Sequence, residues 1–195
     1  MRDDASDSDW IEIFVDDWSH LFQSFDPSPF HERVLDEDAH RYIVDSAREF
    51  PQQNPRGLII YVDRPSISED EAQSVATAVR KHFARRALAA DAALKQNFRE
   101  ARASLSIALP VLTLAVAAAE SAFRTLEVEP LNVILRESLL IGGWVAMWRP
   151  IELFLYEWWP IRDARNLYQR LSRLEVRVLP YASAPQKADL ARARQ

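Results

Sequence analysis

The chain has 195 residues, 48% of them hydrophobic, with a net charge of −5, six tryptophans and no cysteine, which suits a reducing compartment. Charge is split: residues 1–63 carry 15 acidic and 5 basic side chains, which argues against nucleic acid as a partner. The remainder is net basic, as expected near anionic lipid, where each Lys or Arg close to the surface contributes about 1 kcal/mol.

The opening residues, MRDDASDSD, offer neither a basic n-region nor an apolar h-region, so no cleaved signal peptide is expected and residues 1–9 read as disordered. Trp10–Val15 alternates, with Ile11, Ile13 and Val15 opposite Glu12 and Phe14, and predicts a strand. Trp18–Phe25 reads as a short helix or turn. In Ser24–Arg33, SFDPSPFHER, two prolines fix φ and push the residues before them to extended conformations, which predicts an ordered non-helical loop. Asp36 is a candidate N-cap for a helix to Glu49, with Ala39, Tyr42, Ile43, Ala47 and Phe50 as its apolar stripe. Gly57–Val62, GLIIYV, is continuously apolar and predicts a central strand.

Ser68-Glu69-Asp70-Glu71 is a capping-box pattern. It opens a run without Gly or Pro as far as Leu109, with Val75, Val79, Phe83, Leu94 and Phe98 as apolar positions. One long helix, or two nearly collinear ones, should lead into Ser104–Phe123, SLSIALPVLTLAVAAAESAF, an apolar span with a single charge at Glu120. Pro110 is tolerated in a bilayer, where hydroxyls such as that of Ser106 can satisfy the carbonyl it frees.

The second apolar segment, Ser138–Ile161, contains Trp144, Trp148, Trp158, Trp159 and Tyr156, residues suited to the headgroup level. Two placements fit. In the favoured one the span is Ser138–Trp159, with Arg149 and Glu152 deep in the bilayer. In the other it is Leu131–Trp148, with Arg149 snorkelling and Pro150–Trp159 lying along the interface. Basic residues cluster in 84–103 and 161–178 but are sparse in the loop 124–137, so both termini are expected in the cytoplasm. Ala115/Ala119, Ala118/Ala122 and Gly142/Gly143 would permit close helix contact.

Arg162–Ser172 follows as a basic amphipathic helix, and Leu174–Leu179 alternates as a strand. That strand has no sheet to join except the one built by Trp10–Val15 and Gly57–Val62. The expected fold class is therefore an α+β membrane protein. It combines a two-helix transmembrane hairpin over 104–160 with a small discontinuous cytoplasmic α/β domain of about three strands. The other parts are 10–66, a long helix over 67–103, a closing helix and strand over 161–179, and a loose tail from 180.

Two groups of polar residues are candidates for chemistry. His20, Asp26, His31, Glu32, Asp36, Asp38 and His40 could supply metal ligands or an acid–base pair, with Asp26, His31 and Glu32 in the proline loop the ones to test. No zinc, hydrolase or phosphate-loop spacing is present, so no metal, cofactor or catalytic role is assigned. Arg149 and Glu152 are three apart on one helix face, and an ionisable residue within a span is a candidate functional site.

SFDPSPFHER, Tyr42-Ile43-Val44-Asp45, the run Gly142–Glu152 and Tyr156–Pro160 together resemble an uncharacterised family of small bacterial two-span membrane proteins, over roughly residues 11–179. The resemblance implies bacterial origin and an inner-membrane address, and brings no activity or catalytic residues. The expected role is non-enzymatic: an interaction or self-association module on a membrane anchor. The alternative is an oligomeric transport or channel component using Arg149 and Glu152.

Overall fold

A computed structural model describes residues 10–22, 33–50, 55–125 and 129–181. The chain forms two compact units, one from residues up to Leu88 with Arg165 onward, the other from Ala89–Ala164.

The first unit is built on a three-stranded parallel sheet, β1 (Trp10–Val15), β2 (Gly57–Val62) and β3 (Glu175–Pro180), in the order β1-β2-β3. Every residue of β2 is buried, which explains why this strand is continuously apolar while its neighbours alternate. Leu58, Ile60 and Val62 join Ile11, Ile13 and Val178 on one face. Against that face pack α1 (Glu37–Arg48), the start of α2 (Glu69–Thr125) and the end of α4 (Trp158–Leu171), through Ile43, Val44, Ala47, Val75, Val79, Phe83, Leu167 and Leu171. The strand that follows the second apolar helix thus completes a sheet begun before the first.

Local chemistry sets the helix starts. Asp36 caps α1 by accepting from the Asp38 amide at 3.0 Å. At α2 the Glu71 amide donates to Ser68 Oγ at 3.2 Å and the Ser68 amide donates to Glu71 Oε2 at 3.1 Å, a reciprocal capping box. Two details of α1 differ from the sequence expectation. Tyr42 is exposed, its hydroxyl donating to the Glu12 carbonyl at 3.1 Å, and His40 takes a buried position instead.

The second unit holds the rest of α2, all of α3 (Glu129–Glu152), a π-helical turn at Leu153–Glu157 and the first residues of α4. α2 is one uninterrupted helix through Thr125, and α3 begins at Glu129 with Pro130 as its second residue. The polar connection is therefore far shorter than 124–137. Proline suits a helix start, because the N–H it lacks has no partner there, and the apolar run from Leu131 then continues the helix. Ser106 Oγ donates to the Ala103 carbonyl at 2.7 Å and Thr113 Oγ1 to that of Leu109 at 2.8 Å, so the Ser106 hydroxyl does not serve the carbonyl freed by Pro110.

Two helices are long and apolar enough to cross a membrane. Only 11% and 17% of their most apolar windows are buried. They touch at a glycine and through aromatic rings. A Cβ placed on Gly143 would lie 2.9 Å from Leu112 Cδ1 and 3.1 Å from Ala115 Cβ, and the Phe98 ring lies 6.4 Å from Phe154 and 6.2 Å from Trp158.

Candidate functional site

Asp26, His31 and Glu32 lie outside the described residues. The rest of that polar group disperses: Asp36 caps α1, Asp38 pairs with Arg41 at 3.3 Å, and His20 is exposed on a 3-10 turn at Trp18–His20. Among the described residues no three His, Cys, Asp or Glu side chains converge on a point where a metal could sit.

His40 instead meets a residue that the sequence did not flag. His82, on α2, is 3.1 Å from it, Nε2 to Nδ1, and both rings are buried. Phe83 and Tyr168 surround His40 at ring distances of 5.6 and 5.8 Å. Burial, with the Arg86 guanidinium nearby, lowers the pKa of His40 below the usual histidine range, against an opposing pull from Glu37. Burial, then the neighbouring His40, Arg86 and Arg85, lowers that of His82 to about 3. A neutral, enclosed imidazole pair of this kind locks α1 to α2; it offers no open position for a substrate. The apolar stripe of α2 could have placed His82, next to the buried Phe83, on the core side, but not paired it with His40.

The second cluster is the one the spacing predicted, with one member added. Arg149 Nη1 pairs with Glu152 Oε2 at 3.2 Å and also binds Glu157. In a continuous α-helix a residue eight positions on lies about 80° around the axis from the first. The π turn adds one residue, so Glu157 takes the angular place of a position seven along, about 20° from Arg149. The π turn starts three residues after Pro150, which has no N–H to donate to the Ala146 carbonyl. One cation is thus held by two carboxylates on a helix whose neighbouring face is apolar.

Beside the cluster runs an open groove of about 550 Å³ lined by Ile141, Trp144, Val145, Trp148 and Arg149. Trp144 and Trp148 are more than two-thirds exposed. In water such a stripe would carry a large hydration cost; against hydrocarbon and headgroups it would not.

Compared with known proteins, the chain matches no family model, no curated protein and no solved structure.

Proposed function

We propose that this is a non-enzymatic protein of a bacterial inner membrane. In this reading α2 and α3 cross the bilayer as an antiparallel hairpin, and the α/β unit is a cytoplasmic interaction or self-association module. The observation that carries it is the low burial of two long apolar helix windows beside a well-packed α/β core. A buried core helix would show the opposite pattern. The contacts Phe98–Phe154, Phe98–Trp158 and Gly143 with Leu112 and Ala115 support the hairpin, because the partners fall from 154 and 158 to 143 as α2 runs from 98 to 112 and 115. The shared sheet supports a common side for both ends of the chain, since β2 and β3 flank the two helices in sequence and pair in space. Arg-rich flanks at 84–103 and 161–178 support a cytoplasmic side.

Topology reporters test this reading. Fusions after Arg64 and after Tyr181 should both report cytoplasm, and one at Glu129 the outside. A periplasmic signal at either of the first two positions would sink the two-span model.

The Arg149–Glu152–Glu157 cluster supports a second reading, a small oligomeric transport or channel component in which several copies line a polar path. A strictly monomeric mass in nanodiscs would remove it.

A further inference from the structure

The second apolar helix carries a groove whose lining is apolar along its length and charged at one end. Ile141, Trp144, Val145 and Trp148 stand at positions i, i+3, i+4 and i+7, so they form one stripe of α3. Arg149 completes the groove of about 550 Å³ that they line and is its only charged member. The four apolar side chains belong to residues between 64% and 69% exposed. Among the described residues neither Trp144 nor Trp148 makes a hydrogen bond or a ring contact.

The charged end is open as well. Glu152 and Glu157 both meet a single nitrogen of Arg149, Nη1, and the side chains of Arg149, Glu152 and Glu157 remain 55%, 43% and 37% exposed. One guanidinium against two carboxylates leaves one negative charge in excess. An occupant that complements this surface needs an apolar chain for the stripe, an anion for the outer edge of the guanidinium and a cation for the surplus carboxylate.

We propose that the groove holds one phosphatidylethanolamine molecule from the cytoplasmic leaflet of the bilayer. This deepens the membrane-anchor reading above and rests on it. In that topology α3 runs towards the cytoplasm, so Ile141 lies deeper than Arg149 by eight residues, about 12 Å. One leaflet is ~15 Å deep, half of a ~30 Å hydrocarbon core. An acyl chain therefore lies along residues 141–148 while the headgroup meets Arg149 at the surface. Of the two placements of the second span, this site needs the shallower one, ending at Trp148. The phosphate accepts from the guanidinium, and the ammonium donates to Glu152 and Glu157, all as charge-assisted hydrogen bonds. Charge disfavours the competitors. Phosphatidylglycerol brings an anion and no cation to the surplus carboxylate. Phosphatidylcholine brings a cation without an N–H to donate. A second copy of this chain would set a like surplus against the first.

The test uses the full chain in phosphatidylcholine vesicles. A minor share of the lipid is replaced by a species brominated on its acyl chain and bearing an ethanolamine, glycerol or choline headgroup. Bromine quenches indole fluorescence on contact, and flotation of the same vesicles reports anchoring independently. The share of the groove is the quenching that Trp144→Phe with Trp148→Phe removes. In the unaltered chain the ethanolamine lipid should bind there roughly tenfold more tightly than either of the others. Glu157→Gln keeps the Arg149–Glu152 pair but balances the charge, and should bring the glycerol lipid level with the ethanolamine one. Adding Glu152→Gln leaves a bare cation and should put the glycerol lipid first, a reversal that loosened packing alone does not produce. Equal quenching by all three headgroups in the unaltered chain would make the groove ordinary lipid-facing surface. Absence of quenching at the two tryptophans would mean that protein covers them, a second copy included. An ethanolamine preference that survives both glutamate changes is set elsewhere in the chain. Each of these three results overturns the lipid site while flotation leaves the anchor standing. Vesicles that rise without the protein overturn the anchor itself, and the lipid site with it.

Discussion

His82 donates its Nε2–H to Nδ1 of His40 across 3.1 Å, and the direction of that bond is set by a third group. The Leu35 amide donates to His82 Nδ1 at 3.2 Å, so that nitrogen must carry a lone pair and the proton sits on Nε2. His40 Nδ1 is then the acceptor. Protonating either ring places two donors face to face, at Leu35 in one case and between the rings in the other.

Acid should therefore loosen the α1–α2 contact. Both histidines have folded pKa values below the ordinary 6.5, with His82 at about 3, so the neutral pair stabilises the fold fully above pH 6.5 and progressively less as pH falls. For His82 alone the loss between pH 6.5 and 5 is about 2 kcal/mol. Thermal melts of the purified protein from pH 8 to pH 4.5 check this. His82→Leu should cost about 1–3 kcal/mol at pH 8 by orphaning the Leu35 amide, and it should flatten the acid limb. An unchanged limb would assign the acid sensitivity elsewhere.

Much of the α/β unit was legible because its signals are local. The capping box at Ser68, the cap at Asp36, the alternation of β1 and the all-apolar β2 each specify themselves within a few residues. That β3 joins the sheet of β1 and β2 followed from the lack of any other strands to join; that its neighbour is β2 did not. His40–His82 was not legible, since the two residues are 42 apart and neither has a motif partner nearby. Glu157 was missed for a different reason. Angular arithmetic on a regular helix puts it well off the face of Arg149, and only the π turn, a departure from that periodicity, brings it round. Tyr42 was misplaced because its apolar ring counts toward a stripe although its hydroxyl reaches the Glu12 carbonyl from the surface.

The two-carboxylate clamp changes what single substitutions should do in the second apolar helix. With Glu157 still in place, Glu152→Leu leaves Arg149 with one anionic partner and should lower membrane accumulation only slightly. Glu152→Leu with Glu157→Leu leaves the guanidinium without a carboxylate in an apolar setting and should lower it strongly. Adding Arg149→Leu to that pair should recover most of the loss, the pattern of a coupled buried ion group. Quantitative blots of the membrane fraction separate the cases, and additive losses would mean that the three charges act independently at the surface.

Truncation after Ile161 removes Leu167, Leu171 and Val178 from the core and strips β2 of one neighbour. The remaining β1–α1–β2 segment should become protease-sensitive over residues 10–63. Leu171→Ala in the full chain is a milder version, with an expected cost of about 2–5 kcal/mol. If the truncated chain resists proteolysis as the full one does, the first two strands fold without the third.

Gly142 and Gly143 are adjacent in sequence and should respond oppositely to the same change. A Cβ on Gly143 meets Leu112 Cδ1 at 2.9 Å and Ala115 Cβ at 3.1 Å, and the α-carbon of Leu112 lies 3.6 Å away, so backbone as well as side chain limits the space. A Cβ on Gly142 meets nothing within 4 Å. Gly143→Leu should therefore push α3 off α2 and destabilise the second unit, by about 1–3 kcal/mol if the packing responds as overfilled cores do. Gly142→Leu adds an apolar side chain to an open face and removes a flexible residue from a helix, so it should be neutral or slightly stabilising. The measurement is resistance to thermal aggregation in one detergent, followed for both variants. Equal losses would mean that the Gly142 face is also occupied in the bilayer, and equal tolerance that the two helices do not hold the close approach at Gly143.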